Sequence, residues 1–353
     1  MLIIFKMPYF HRLLIVFLTF VISLTSSNIV LAKNKKSSSK IKTLTVYTNR
    51  SFAKDWSGGK HSLKLTFEEK CHCKVQFVSL DSGGTLVSRL LLEGKNSKAD
   101  IVLGIDTNLA GQALNTGLFA KHNVDTSVLK LPISWQDEYF LPYDYGYFAF
   151  VYDENHLKTP PKSLDELING NNKLKIILQD PRSSTIGLGF LLWMKEIYGD
   201  KVKEQWKKLN PKIVTITKGW SESYALFLKG EADLVLGFTT TPAYHLIAEK
   251  KQNYKAAEFT EGSFLQVELI AKLQNSPNPE LADMFMNFVT SQEFQKNIPL
   301  ANFMYPTIDI GEDMPGEYKQ LYTPSKTLFI LPEIVANNKS IWVKEWLNSA
   351  LKN

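Results

Sequence analysis

The chain has 353 residues, with 41 Lys and Arg against 35 Asp and Glu, and only two cysteines, Cys71 and Cys73. Two cysteines exclude a scaffold built on many disulfides, although an oxidising compartment would let this close pair bridge. The surplus of positive charge is small and lies partly in the Lys- and Ser-rich segment 33–42. The sequence has no basic stripe and no recognisable nucleic-acid-binding motif, so we expect no nucleic-acid partner.

The first 32 residues have the pattern of a secretory signal peptide. Lys6 and Arg12 precede an apolar run at 13–24, and a cleavage-site pattern ending at Ala32 follows. We therefore expect cleavage after Ala32, a flexible basic arm over 33–42 and a periplasmic location. A retained membrane anchor is the alternative, but the apolar run of about 12 residues is shorter than the ~20 that a spanning helix needs.

From residue 43 onward, short β-branched runs alternate with amphipathic stretches. The pattern predicts strands at 44–47, 75–78 and 100–104, with a helix ending near Glu69 and another at 86–92. Such alternation is typical of an α/β fold with a mostly parallel sheet and helices on both faces. Ligands of these sheets bind beyond the carboxyl ends of the strands, so the loops after strands are the expected functional positions.

A second series of elements follows and indicates a second lobe. Strands are predicted at 146–152, 175–178, 213–216 and 234–237, a returning strand at 264–270, and helices at 281–289 and 341–351. We expect an N-terminal lobe (43–145 and 262–310), a C-terminal lobe (146–261) and a C-terminal helical buttress (311–353). The chain would cross between the lobes twice, which makes a hinge.

Four stretches of the sequence resemble the bacterial thiamine-binding periplasmic proteins. They are EGKNSKAD at 93–100, DYGYFAFVYD at 144–153, KGWSE at 218–222 and PAYH at 242–245. The resemblance runs from about Leu44 to the C-terminus. It implies a type II periplasmic binding protein fold with the ligand held between two α/β lobes. It also implies delivery of thiamine, its monophosphate or its pyrophosphate to an inner-membrane ABC permease with its ATPase, without a cofactor or metal.

Thiamine combines a cationic thiazolium, a flat aminopyrimidine and an alcohol that can carry phosphate. Trp220 follows a predicted strand and Gly219, which suits a side chain that stacks on a cationic ring in a cleft. Core packing at the first turn of a helix is the alternative for Trp220, although Tyr224, Leu226 and Phe227 already supply an apolar face.

Three polar segments after predicted strands could receive the phosphate. Ser82-Gly83-Gly84-Thr85 and Ser184-Thr185 precede helices, and helix starts offer unpaired amides and partial positive charge to anions. Thr239-Thr240-Thr241-Pro242 repeats the arrangement, with a Thr as the expected cap and Pro242 at the expected first helical position. Ordinary helix capping without a ligand is the alternative for each segment.

The resemblance assigns ligand contacts to a set of polar and aromatic positions. They are Ser82, Gly83, Ser184, Thr185, Trp220, Phe238, Thr239, Thr240 and Thr241. Three positions depart from the relatives, because Phe238 and Asn49 stand where Tyr is found and Phe303 stands where Trp is found. Phe238 and Phe303 still offer ring faces, so we expect a lighter aromatic clamp around the same class of ligand.

Four further residues are weaker candidates for ligand contact. Asp106 and Asp144 could balance the thiazolium charge or bind the pyrimidine amine, or could instead cap a helix or turn. Trp56 could be a lid residue or a surface-packed aromatic. Tyr244 lies in the fourth stretch of resemblance and is a candidate for the same cleft.

Two other classes of function remain as alternatives. A thiaminase-like enzyme would need a Cys nucleophile, but Cys71 and Cys73 fall at the amino end of the strand 75–78, opposite the expected cleft. A receptor of the same fold for iron or a polyamine is the nearer alternative. Iron-binding relatives use adjacent tyrosines, which this sequence lacks, and polyamine receptors favour clustered carboxylates with aromatic walls.

Overall fold

The computed structural model describes residues 41–57 and 62–350 of the chain, and it places eleven strands there. The strands are β1 (Thr43–Asn49), β2 (Lys74–Leu80), β3 (Ile101–Asp106), β4 (Leu141–Asp153), β5 (Ile176–Gln179), β6 (Ile213–Thr217), β7 (Leu234–Phe238), β8 (Tyr254–Ala256), β9 (Ser263–Lys272), β10 (Tyr305–Pro306) and β11 (Thr327–Leu328). The predicted signal peptide and all of the basic arm except its last two residues lie outside the described residues.

Thirteen α-helices accompany these strands in the same ranges. They are α1 (Arg50–Ser57), α2 (Leu63–Cys71), α3 (Gly83–Glu93), α4 (Thr107–Leu114), α5 (Leu164–Asn169), α6 (Thr185–Tyr198), α7 (Val202–Leu209), α8 (Trp220–Leu228), α9 (Thr241–Tyr244), α10 (Pro279–Val289), α11 (Gln292–Gln295), α12 (Ile298–Ala301) and α13 (Pro332–Ala350). Over the residues described, none of the helices combines the length and apolar character needed to span a membrane.

The strands hydrogen-bond in the order β2-β1-β3-β9-β4-β7-β5-β6. Pairing is parallel where the sequence predicts strand and helix alternation, between β1 and its neighbours β2 and β3, and between β5 and its neighbours β6 and β7. The two central strands, β9 and β4, run antiparallel to each other and to their outer neighbours β3 and β7. The sheet is therefore mixed, with parallel flanks joined by an antiparallel centre.

Strand β4 takes part in both halves of this sheet. Its residues 141–147 pair with β9, whereas residues 148–152 pair with β7 and residues 151–153 with β8. The strand begins at Leu141 rather than at residue 146, because residues 141–147 pair with β9 although they contain no β-branched side chain. The predicted boundary between lobes at 145 falls inside β4, and the lobe ranges stay a prediction.

Apolar side chains pack on both faces of the sheet in two large clusters. One contains Phe148, Phe150, Phe190 and Trp193, and the other contains Phe52, Trp56, Phe67 and Phe294. Trp56 is only 2% exposed and stacks between Phe52 and Phe294, at ring distances of 4.9 and 4.6 Å. The expectation of a lid or surface position for Trp56 is wrong, because Trp56 lies on helix α1 and faces the core.

A disulfide joins Cys71, at the end of α2, to Cys73, just before β2. His72 between them has a left-handed backbone conformation, with φ of 50°, and its amide donates to the Glu68 carbonyl to end the helix. The bridge that the sequence left open is therefore formed. It lies at the amino end of β2, as the sequence predicts.

Helix α13 is longer than the sequence indicates, because it begins at Pro332 rather than near Ile341. It packs against α4 and α7, and its own Trp346 is buried. Gly111 of α4 makes this approach possible, since a Cβ at that position would lie 2.4 Å from the Pro332 carbonyl oxygen.

Gly111→Ala should therefore destabilise the protein by roughly 1–3 kcal/mol, because the backbone of α13 would have to move away from α4. Gly316→Ala is the matched control, since nothing lies within 4 Å of a Cβ there. Denaturant unfolding of both variants would measure the difference. Equal stabilities would show that α13 docks more loosely than its contacts indicate.

Candidate ligand-binding site

A cavity of about 1110 Å³ opens where several strands end. Its wall includes the end of β1, the turns after β2 and β6, and the end of β7, together with residues 297–304. A cavity of this size is typical of sites that take small organic ligands. The position agrees with the general rule for α/β sheets, in which ligands lie beyond the carboxyl ends of strands.

The start of α3 forms one part of the wall. Ser82 caps this helix, since its hydroxyl accepts from the Thr85 amide at 3.3 Å while the Thr85 hydroxyl accepts from the Ser82 amide at 2.9 Å. Gly83 also lines the cavity, and a Cβ there would meet the Gly104 carbonyl at 2.9 Å and the Thr185 methyl at 3.3 Å. The segment is thus both an ordinary cap and part of the cavity wall.

The start of α6 lies against the start of α3. Ser184 caps it, with its hydroxyl accepting from the Gly187 amide at 3.3 Å, and Thr185 is the first helical residue. Ser183, which the sequence analysis missed, donates its hydroxyl hydrogen to the Lys218 carbonyl at 2.9 Å. Ser183, Ser184, Thr185 and Lys218 all line the cavity, so two helix starts and one lysine meet there.

The third predicted helix start has a different geometry. Thr240 makes no side-chain cap to α9, and its hydroxyl instead contacts the Met304 sulfur at 3.8 Å. The Thr241 hydroxyl accepts from the Phe238 amide at 3.0 Å, and Pro242 is the second helical residue rather than the first. Thr240 and Thr241 line the cavity, whereas Thr239 is fully buried and does not. The predicted Thr cap is therefore wrong.

Trp220 is the first residue of α8 and lines the cavity. Its ring stacks on Tyr224, with centroids 4.6 Å apart, and lies so close to β7 that a Cβ on Gly237 would be 3.1 Å from it. The two predictions for Trp220, stacking in the cleft and packing in the core, thus each describe part of its environment. One face packs on Tyr224, while the side chain still borders the cavity.

A hydrogen-bonded chain holds Tyr224 from behind. The Tyr224 hydroxyl and His245 Nε2 are 2.6 Å apart, and His245 Nδ1 and a Glu249 carboxylate oxygen are 2.8 Å apart. Burial lowers the pKa of His245, which favours the neutral ring. Only one nitrogen of a neutral His ring carries hydrogen. Nδ1 therefore donates a hydrogen bond to Glu249, and Nε2 accepts a hydrogen bond from the Tyr224 hydroxyl.

Three more aromatic side chains border the cavity. Phe238 stacks on Phe148 at 5.0 Å, and Phe303 meets Tyr244 edge to face at 5.3 Å. Phe303 has a φ of 53°, a left-handed conformation that bulky residues adopt only when the surrounding structure holds them. Strain of this kind concentrates at binding sites, so it supports the assignment of Phe303 to the cavity.

Asn49, the last residue of β1, lines the cavity. Its side-chain oxygen accepts from the Phe52 amide at 2.8 Å and so holds the first turn of α1. Asn49 therefore has a structural role that the sequence analysis did not assign.

Three carboxylates lie side by side in the centre of the sheet. Asp106 on β3 and Asp144 on β4 are both paired in register with Glu268 on β9. Asp106 and Asp144 are buried and do not line the cavity, whereas Glu268 does, together with Gln266. The sequence analysis missed Glu268 and Gln266, although two polar residues at alternate positions of an apolar strand are a signal of a shared face.

The surroundings of these groups hold protons on them. Burial, together with the Glu268 charge, raises the pKa of Asp106 to about 8 and raises the pKa of Asp144 well above its usual value. Burial also raises the pKa of Glu268, although the Tyr143 hydroxyl donates a hydrogen bond to it. Among the described residues, no cluster of three His, Cys, Asp or Glu side chains could hold a metal ion.

The family model for bacterial extracellular solute-binding proteins matches residues 96–331. This match defines the class of the protein as a solute-binding protein. The chain is 52% identical to a thiamine-binding periplasmic protein of Salmonella typhimurium (strain LT2) and 51% identical to one of Escherichia coli (strain K12). Each match spans 303 residues, which are 86% of this chain and 92% of the relative.

The solved structures agree with this assignment. A periplasmic thiamin binding protein, 50% identical, superposes with a TM-score of 0.84 and covers 89% of this chain and 98% of its own. Iron-bound HitA from Pseudomonas aeruginosa, only 19% identical, shares the fold with a TM-score of 0.72 over 86% of this chain and 99% of its own. The chain belongs to the family of the thiamine-binding periplasmic proteins, and the predicted type II periplasmic binding protein fold is confirmed.

The raised pKa of Asp106 makes stability depend on pH. The folded protein keeps a proton on Asp106 up to about pH 8, whereas the unfolded chain loses it near the ordinary value of 3.8. The free energy of unfolding of the unliganded protein should therefore fall between about pH 5 and pH 8, since the unfolded state binds fewer protons there.

Asp106→Asn should reduce this fall by roughly 1 kcal/mol or more, because the amide does not titrate. Asp200→Asn, at a fully exposed side chain, is the control and should leave the slope unchanged. Chemical unfolding at several pH values would decide the point, and parallel slopes for all three proteins would contradict it.

Proposed function

We propose that this protein is a periplasmic receptor that binds thiamine or one of its phosphate esters in the cavity and delivers it to an ABC importer of the inner membrane. The observation that carries the proposal is the composition of the cavity. Two helix starts, an aromatic wall and a carboxylate meet in it, and thiamine has an anionic end in its esters, flat rings and a cationic ring. Relatives about half identical over most of their length are named as thiamine-binding proteins.

The starts of α3 and α6 would receive the phosphate. The first amides of a helix have no partner within the helix and carry partial positive charge. Gly83 lets the two helix starts approach each other closely, because no side chain stands between it and Thr185. Lys218 adds a full positive charge at the same wall.

Trp220 and Phe238 would enclose the rings of the ligand. The chain from Tyr224 through His245 to Glu249 fixes the ring behind Trp220, so the stacking face is ordered before the ligand arrives. An ordered face loses less conformational entropy on binding. The Phe substitutions at positions 238 and 303 would then tune preference among thiamine and its esters.

Capture would proceed by closure around β4 and β9, the strands that join the two flanks of the sheet. Closure would exclude water and create the surface that the permease recognises. The protein would break no bond and need no cofactor. Cys71 and Cys73 are bridged and do not line the cavity, so neither is a free nucleophile there. The disulfide suits the oxidising periplasm, to which the signal peptide would direct the chain before its removal after Ala32.

The polyamine alternative has one feature in its favour, the three adjacent carboxylates of the sheet. A polyamine has no anionic group, however, and would leave the helix starts and Lys218 without a partner. The relatives and the paired helix starts therefore support thiamine as the ligand, and spermidine serves as a competitor in the test.

Calorimetric titration of refolded, ligand-free protein with thiamine, its monophosphate and its pyrophosphate tests the proposal. We expect one-to-one binding of at least one form without turnover, and Trp220→Ala should weaken it by roughly 2- to 30-fold, because a cation stacked on an indole contributes about 0.5–2 kcal/mol. Trp220→Phe is the matched control that keeps a ring face. Binding of spermidine alone would refute the proposal, and equal affinity of Trp220→Ala would refute the stacking role.

Lys218→Gln should discriminate between the esters and thiamine itself. Affinity for the monophosphate should fall roughly three- to fivefold, as expected for an exposed charge, while affinity for thiamine should stay within twofold. Lys229→Gln, at the opposite end of α8 and outside the cavity wall, is the control. The same titrations measure both, and an equal loss for thiamine and its phosphate would show that Lys218 does not face the phosphate.

A further inference from the structure

The centre of the sheet holds a group of carboxylates that faces the cavity through one member. Glu268 lies between Asp106 and Asp144 on adjacent strands. Asp106 and Asp144 are 1% and 0% exposed, while Glu268 is partly exposed and lines the cavity. The Glu268 charge can therefore contact a ligand in the cavity. Asp106 and Asp144 can affect the ligand only by changing the protonation of Glu268.

Several acceptor atoms at this site have no protein partner. Gln266 is 1% exposed and lines the cavity, and its side-chain oxygen accepts no hydrogen bond. One carboxylate oxygen of Asp144 and one of Asp106 are also unpartnered. A buried acceptor without a donor is costly, so the unpartnered Gln266 oxygen in the cavity wall indicates a donating group that arrives with the ligand.

The groups around Glu268 are acidic or neutral on every side but one. From β4 it is faced by Tyr143, which donates to it, and by Asp144, which accepts from the Asn302 amide. Tyr318 faces Asp144 from the segment after β10. From β3 it is faced by Asp106, whose pKa is lowered slightly by the positive charge of Lys339 on α13, against the larger effect of burial. Lys339 donates to Gln112 at 3.1 Å, and it forms no ion pair with the carboxylates described here.

We propose, resting on the proposed function, that Glu268 is the counter-ion of the cationic ring of the ligand. We further propose that the carboxylate group formed by Glu268, Asp144 and Asp106 releases a proton when that ring enters. The three acids cannot all be ionised beside one another without a cation. A ligand cation supplies the missing charge, so one acid changes from its neutral to its ionised form and the proton leaves to solvent.

This exchange has two physical consequences. Affinity for the cation should rise with pH through the range in which the acids still hold protons. At higher pH a smaller fraction of the acids is protonated, so binding has to displace fewer protons. The site should also reject an uncharged ring of the same shape, since such a ring cannot stabilise the ionised acid. A site that recognised the ligand only by shape and stacking would bind the charged and the uncharged ring equally.

The first test uses the unchanged protein. Thiamine is titrated at about pH 7.5 in buffers of different ionisation enthalpy, since the slope of the measured enthalpy against that quantity gives the protons released. Thiamine without phosphate avoids the titration of the ester, whose second pKa is about 6. We expect release of roughly half a proton or more per thiamine. Binding with no release, or with uptake, would overturn the proton exchange.

The second test compares Glu268→Gln with Glu68→Gln, a mostly buried Glu that accepts from the Val75 amide far from the cavity wall. Glu268→Gln should weaken thiamine binding by roughly 10-fold or more, as for close charge pairs at interfaces, and should abolish the proton release. Wild type should prefer thiamine over an uncharged analogue with a thiophene ring, and Glu268→Gln should lose that preference. Glu68→Gln should keep both properties.

The outcomes separate this inference from the proposed function. Wild type that binds neither thiamine nor its esters would refute the function itself. Normal thiamine binding by Glu268→Gln, or a proton release that persists in it, would refute only the counter-ion role. If Glu268→Gln does not fold, the proton release and the ring preference of the wild type decide the question, and the absence of both overturns the inference.

Discussion

The antiparallel pairing of β4 with β9 is the constraint on which the rest of the structure depends. These two strands carry the parallel flanks of the sheet on their outer sides, and the cavity lies where the flanks meet. The same pairing sets Asp144 beside Glu268 and places Gln266 in the cavity wall. The same pair of strands thus joins the two flanks of the sheet and carries two of the carboxylates of the site.

Local signals in the sequence predicted eight of the eleven strands in the described residues, several of the helices and two of the three expected helix caps. Ser82 and Ser184 cap helices whatever else surrounds them, so their positions follow from short-range hydrogen bonding. Thr240 does not cap α9 with its side chain, because its backbone is already helical (φ −88°, ψ −12°) rather than extended. Trp56 is buried because Phe294 covers it from another part of the chain.

The electrostatic part of the site was less accessible to sequence reasoning. Asp106 and Asp144 were recognised as candidates for ligand contact, but their burial depends on strand order, which pairs both with β9. Glu268 belongs to a strand whose other residues are all buried. Its proximity to two other acids arises only when three strands distant in sequence become neighbours, and no local pattern encodes that.

The left-handed backbone of Phe303 has a consequence for how the site recognises flat molecules. A bulky residue in this conformation costs on the order of 1–3 kcal/mol, which the fold supplies before any ligand is present. The ring meets Tyr244 edge to face, with centroids 5.3 Å apart. This part of the cavity wall is therefore strained before a ligand binds, and its selectivity for flat rings depends in part on the energy of the empty protein.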